Sequence, residues 1–77
     1  MREEKHIADL SDIMNGFWKL YVKEYRSRDF NSDGFWERVI SEFGDMVKRY
    51  EKTEYKESAM NISEALIADL EQESRKQ

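Results

Sequence analysis

Apolar residues recur along the first third of the chain at the spacing of an α-helix. They fall three or four positions apart, at Ile7, Leu10, Ile13, Met14, Phe17, Leu20, Tyr21 and Tyr25, and this spacing places them on one helical face. Trp18 and Val22 widen the face to more than half of the circumference, and a helix that is apolar over so wide an arc usually contacts more than one neighbour. The pattern predicts a first helix over residues 4–27.

Gly16 lies inside this pattern, where glycine costs about 1 kcal/mol relative to alanine. Two interpretations are open. Gly16 allows a close helix crossing, or Asn15 and Gly16 end a short first helix as a C-cap. Because the apolar face runs through Gly16 without a change of phase, we favour one helix, with or without a bend.

Two further helices are expected after the Asp-, Asn- and Ser-rich turn at residues 28–34. The apolar face of the second helix, predicted over 34–51, consists of Phe35, Trp36, Val39, Ile40, Phe43, Met46, Val47 and Tyr50. The pattern lapses near Thr53, a candidate N-cap. A third helix over 54–73 then carries Tyr55, Ala59, Ile62, Leu66 and Leu70. Because no Pro or Gly interrupts the chain near Thr53, a single helix over 34–73 is the alternative.

These elements predict an all-α fold, a three-helix up-down-up bundle in which an αα-hairpin is followed by a third helix. It forms one domain over residues 1–77, with frayed termini. A chain of this length buries only about 60% of its unfolded surface, so such cores are usually supplemented by disulfides, a metal or oligomerisation. The chain has no Cys. We therefore expect the bundle to pack as an oligomer, most simply a homodimer.

A ten-residue pattern occurs twice in the chain, eighteen positions apart. Gly16-Phe17-Trp18 matches Gly34-Phe35-Trp36, and Tyr25 matches Phe43. Eighteen residues are about five helical turns, so both copies present a similar aromatic face. The repeated feature of this sequence is therefore an aromatic helix face.

The abundance of apolar side chains predicts a protein-interaction function. Three short helices do not easily cover ten aromatic residues together with the aliphatic ones, and a second copy or another protein would cover the surplus. As anchors we expect Trp18 and Tyr21 on the first helix and Trp36 on the second. Lys19, Lys23 and Arg26, in a locally basic segment of a chain with net charge −4, would orient the partner.

Two motif-like strings suggest metals but lack essential ligands. The segment Asp29-Phe30-Asn31-Ser32-Asp33-Gly34 matches the opening of an EF-hand loop, but position 12, where a bidentate Glu closes the calcium shell, is Ile40. Glu3 and His6 form one Glu-x-x-His, whereas di-iron bundles need two such motifs and further carboxylates. We predict no metal, cofactor or catalytic site, no small-molecule substrate and no enzymatic activity.

Nucleic acid and membrane are unfavoured partners. DNA binding requires Lys and Arg against the phosphates, whereas the third helix is acidic. A small DNA-associated regulatory protein is therefore only the alternative function. No apolar run approaches the ~18 residues of a membrane span, and the first residues are polar. We expect a cytoplasmic protein.

One resemblance extends over residues 17–71. It is carried by Phe17-Trp18-Lys19-Leu20, by Ser32-Asp33-Gly34-Phe35-Trp36-Glu37-Arg38-Val39-Ile40 and by Ala65-Leu66-Ile67-Ala68-Asp69-Leu70-Glu71. This order is similar to that of small uncharacterised helical proteins of phages and mobile elements in Gram-positive bacteria. The resemblance implies an accessory role in such an element and implies no catalytic residues.

Overall fold

The chain folds into three α-helices, which a computed structural model describes over residues 2–76. Helix α1 spans Arg2–Ser27, α2 spans Asp33–Lys48 and α3 spans Lys56–Arg75. Each helix contacts both others. Tyr21 on α1 hydrogen-bonds Asp69 on α3, and His6 on α1 contacts Tyr55 just before α3, so these two helices run parallel. The predicted all-α, up-down-up three-helix bundle is confirmed.

The end of α1 agrees with the prediction, and the other five helix boundaries differ from the predicted ones by one to three residues. Helix α1 continues through Gly16, as favoured, and α2 and α3 are separate helices. Consecutive turns follow α2, in which the Tyr50 amide donates to the Val47 carbonyl and the Thr53 amide to the Tyr50 carbonyl. Thr53 was predicted to cap α3, but Tyr55 holds that position. The Thr53 hydroxyl instead accepts from the Tyr55 amide at 3.1 Å and closes the preceding turn.

Helix α1 begins before its predicted start, at Arg2, and α3 ends after its predicted end, at Arg75. These terminal residues are helical in the structure, and fraying of the helix ends stays a prediction. Acidic Glu3 and Glu4 stand in the first turn of α1, and Arg75 in the last turn of α3, where each charge complements the helix dipole. Met1 and Gln77, included in the predicted domain and its frayed termini, lie outside the described residues.

Three phenylalanines form the centre of the core. Phe17, Phe35 and Phe43 are fully buried. Phe17 belongs to the first copy of the repeat, and Phe35 and Phe43 belong to the second. The rings of Phe17 and Phe43 stack with centroids 6.1 Å apart, which joins α1 to α2. Ile40, expected on the buried face of α2, is instead 64% exposed, because the fully buried Val39 takes the inward position beside it.

The connection between α1 and α2 is a compact turn. Arg28 adopts a positive φ of 53°, the left-handed conformation that often ends a helix, and the Ser32 amide then donates to the Asp29 carbonyl at 3.0 Å. Gly34 lies inside α2, so the segment that opens like an EF-hand loop continues directly into a helix. Among residues 2–76, no group of three or more His, Asp or Glu side chains is placed to hold a metal ion.

The bundle is elongated. Its radius of gyration is 13.7 Å, against about 11.5 Å for a compact 77-residue domain, and it measures 46 × 20 × 15 Å. No helix in the described part of the chain is long and apolar enough to cross a membrane.

Candidate interaction surface

The largest exposed apolar side chains on α1 form a line along the helix. Ile7, Met14 and Trp18 are 62%, 53% and 57% exposed, and their spacing of seven and four residues aligns them on one face. The face lies beside the core-directed residues Ile13 and Phe17. An exposed tryptophan in line with other exposed apolar side chains is typical of a protein-binding anchor.

Helix α3 supplies the second wall of a shallow groove. Its half-buried residues Ile62 and Leu66, together with Met14, Asn15 and Trp18, line a cavity of about 250 Å³. A second cavity of about 380 Å³ shares Met14 and Asn15 and continues toward the start of α1, lined also by His6, Ile7, Leu10 and Ser11. We call this continuous surface, from His6 to Trp18 and Ile62 to Leu66, the α1–α3 groove.

An aromatic stack fixes the upper end of the α1–α3 groove. The ring of Trp18 stacks on Tyr21 at 5.4 Å and Tyr21 stacks on Tyr25 at 5.8 Å, centroid to centroid. The Tyr21 hydroxyl donates to the Asp69 carboxylate on α3. Burial, followed by this hydrogen bond, raises the pKa of Tyr21 well above its usual range. Tyr21 therefore acts as an internal support, and Trp18 is the ring offered to solvent.

Trp36, the third predicted anchor, belongs to a different part of the molecule. It is half-buried, and its indole N–H donates to the Phe30 carbonyl at 3.1 Å. Its ring stands nearly perpendicular to that of Phe35, with centroids 4.8 Å apart. The structure thus places Trp36 over the α1–α2 turn, among contacts that it does not share with Trp18.

The three predicted basic residues also separate into two groups. Lys23 forms an ion pair with Glu42 on α2 at 2.8 Å, and hydrogen bonding to that carboxylate raises the pKa of Lys23. Lys19 and Arg26 are exposed on α1 and form no ion pair within residues 2–76. Only Lys19 and Arg26 are therefore free to meet a partner's charges.

One carboxylate on α1 is buried, which the hydrophobic pattern did not predict. Glu24 is fully buried, and its Oε2 accepts hydrogen bonds from Arg38 Nε at 3.2 Å and Nη2 at 3.0 Å. The signal was present, because Glu24 falls seven residues after Phe17 and eleven after Ile13, on their face of α1. Its membership of a basic segment hid this position.

A polar cluster joins the start of α1 to the start of α3. The Tyr55 hydroxyl lies 3.3 Å from both His6 Nδ1 and Asp9 Oδ2, and the His6 and Tyr55 rings stack at 5.6 Å. Burial, with neighbouring carboxylates, raises the pKa of Tyr55 to about 12. A phenol that stays protonated at neutral pH serves here as a hydrogen-bonding link between elements.

Comparison with protein-family models, with curated proteins and with solved structures finds no match for this chain.

Proposed function

We propose that the protein is a small helical interaction module that buries the α1–α3 groove against another protein surface. The observation that carries the proposal is the exposure of Trp18 next to Met14 in an apolar groove between two helices. Exposing large apolar side chains in a contiguous strip is unfavourable unless a partner covers them. Tryptophan is also among the residues most enriched at interface hot spots.

The anchoring around Trp18 supports recognition with little rearrangement. Tyr21 is held by Asp69, and Trp18 stacks on Tyr21, so the indole is oriented before a partner arrives. Preorganised side chains lose less conformational entropy on binding. Trp18 is the anchor, Tyr21 its support, and Lys19 and Arg26 the charges beside the α1–α3 groove.

The alternative, a DNA-associated regulator, finds less support. The exposed residues of α3 include Glu57, Glu64 and Glu71, which would repel phosphates, and Lys23 is paired with Glu42. The resemblance to small helical proteins of phages and mobile elements favours an accessory role in such an element, carried out in the cytoplasm.

Site-specific photo-crosslinking tests the proposal. A photoreactive phenylalanine replaces Asn15, which lines the α1–α3 groove, and in a matched variant it replaces Glu64 on the exposed side of α3. In cells that express the protein, we expect position 15 to crosslink to one protein species, either a second copy or another chain, and position 64 not to do so. Equal labelling from both positions, or no crosslink from position 15, would overturn the proposal.

A further inference from the structure

We propose that the partner is a second copy of this chain, which docks groove to groove with its α1 antiparallel to the first. The two-fold axis would pass between Met14 and Asn15. This inference rests on the proposed function and names the partner of the same surface. Three observations support it: surface area, shape and charge.

The accessible surface is larger than a monomer of this size requires. A folded monomer of 9.3 kDa typically exposes about 5,000 Å², whereas this chain exposes 5817 Å². The excess, about 800 Å², equals the area that one partner contributes to a standard protein interface. An interface of standard size on each chain would bring its accessible surface back to the usual ratio of surface to mass.

The groove side of α1 is complementary to itself when reversed. In a two-fold dimer, a contact from one residue of the first copy to another residue of the second copy is repeated with the two copies exchanged. With the axis between Met14 and Asn15, Trp18 faces Ser11 of the second copy, and Ile7 faces Val22 of the second copy. Ser11 is exposed and small, so it leaves room in the apolar line for the large indole.

The charges on α1 select the antiparallel orientation. The first half of the helix carries Glu3, Glu4, Asp9 and Asp12 against two basic residues, and the second half carries Lys19, Lys23 and Arg26 against Glu24. Antiparallel docking places Arg26 opposite Glu3, and within one residue of Glu4, of the second copy, twice by symmetry. Parallel docking would instead align Arg26 with Arg26 and Glu4 with Glu4, and juxtaposed like charges disfavour that arrangement.

The α3 wall adds no opposing charge at the centre of this contact. Ile62 and Leu66 line the α1–α3 groove, and the exposed residues Asn61 and Ala65 on the same helix are uncharged. Asp69, at the upper end, is already hydrogen-bonded to Tyr21. Burying this surface therefore leaves no unpaired ion in the middle of the interface.

Sedimentation equilibrium over a dilution series tests self-association. We expect a reversible dimer whose dissociation constant rises at least about 30-fold in Trp18→Ala, as for a hot-spot anchor, and changes less than about threefold in the matched control Ile40→Ala. Both side chains are exposed, so both variants should keep the wild-type circular dichroism. A monomer up to millimolar concentration, or a dimer that Trp18→Ala leaves unchanged, would overturn the inference.

Charge reversal then tests the orientation. Glu4→Arg and Arg26→Glu should each weaken the dimer about tenfold at low salt, since two pairs change sign, and the double variant should restore it. In a parallel dimer neither single variant alters the like-charge pairs, so unchanged affinity of the single variants would overturn the antiparallel arrangement. A monomer whose position 15 crosslinks to a different protein would overturn this inference and leave the proposed function intact.

Discussion

Glu24, the fully buried charge of α1, forms an ion pair with Arg38 on α2. Within residues 2–76, no other fully buried charge joins these two helices. Both Arg38 hydrogen bonds go to Oε2 of Glu24, while Oε1 accepts no hydrogen bond from the described residues and lies 3.7 Å from Lys23 Nζ. Arg38 also stands over the Phe35 ring, 5.4 Å from its centroid. The pair therefore fixes how α1 and α2 align at the turn end of the bundle.

Removing Arg38 should destabilise the protein strongly. Breaking a buried ion pair leaves an uncompensated charge and costs about 3–5 kcal/mol. Arg38→Ala should lower the free energy of unfolding, by less than the loss of one partner from a fully buried pair, because the Arg38 side chain is 41% exposed and water can reach it. Urea unfolding followed by circular dichroism measures this loss.

Two control variants separate the buried charge from ordinary packing. Lys23→Ala removes a pair in which the lysine is exposed, and we expect a much smaller loss than for Arg38→Ala. The double variant Glu24→Leu with Arg38→Leu removes both charges and should recover most of the stability that Arg38→Ala loses. If the double variant were as unstable as Arg38→Ala, the charge of Glu24 would not be the cause.

The fold could be predicted from the sequence because the helical period of apolar residues is clear in all three helices. Phe17, Phe35 and Phe43 lie on the predicted apolar faces, and all three are fully buried. The helix ends were less accessible, since Tyr50 and Thr53 form turns through backbone hydrogen bonds that no side-chain pattern announces. The burial of Glu24 was not predicted because a charged residue is normally exposed, and it is tolerated here because Arg38 on α2 hydrogen-bonds to it.

The sequence could not show which of the two tryptophans is exposed. The repeat made Trp18 and Trp36 look equivalent, yet Trp18 is largely exposed, whereas Trp36 is half-buried and hydrogen-bonded to the Phe30 carbonyl. The difference arises from neighbours in space: Phe30 returns from the turn to cover Trp36, and no segment of residues 2–76 covers Trp18 in this way. Spacing along one helix cannot show which face a loop will cover.

Replacing helix-interior glycines with alanine should stabilise the bundle. A Cβ added at Gly44 would meet no atom within 4 Å, and one at Gly16 would lie 3.7 Å from Met46 Sδ, an ordinary contact. Neither glycine is needed for a close helix crossing. Because alanine is favoured over glycine inside helices, Gly44→Ala and Gly16→Ala should each add about 0.5–1 kcal/mol.

Calorimetry checks the glycine variants. For a domain of this size, 1 kcal/mol corresponds to about 4–8 °C in Tm, so each change should raise Tm by several degrees. A decrease in Tm for Gly16→Ala alone would mean that α1 and α2 must approach more closely than the present contact with Met46 indicates.

Alkaline pH should destabilise the protein through Tyr55. Its pKa is raised to about 12 in the folded state, against about 10 in an unfolded chain. Stability from the protonated phenol is therefore fully present below about pH 10 and is lost as pH rises toward 12. We expect Tyr55→Phe to show a shallower decline in stability between pH 10 and 12 than the wild type, measured by urea unfolding at each pH.

The phenol absorbance near 295 nm gives an independent measure of the same effect. In the wild type, part of the tyrosine ionisation should be delayed until the protein unfolds, and Tyr55→Phe should remove one such delayed group. Tyr21→Phe should remove a second delayed group, since the pKa of Tyr21 is also raised. An identical decline in stability for wild type and Tyr55→Phe would contradict a link between Tyr55 ionisation and unfolding.

The two tryptophans provide a direct optical test of which aromatic surface meets a partner. In Trp36→Phe the remaining fluorophore is Trp18, 57% exposed, and in Trp18→Phe it is Trp36, half-buried and hydrogen-bonded to Phe30. At the dilution where the chain is monomeric, acrylamide should quench Trp18 more efficiently than Trp36. As concentration rises, quenching of Trp18 in Trp36→Phe should fall, because the α1–α3 groove becomes covered. Protection of Trp36 instead would place the contact at the α1–α2 turn and would reassign the interacting surface to the second copy of the aromatic repeat.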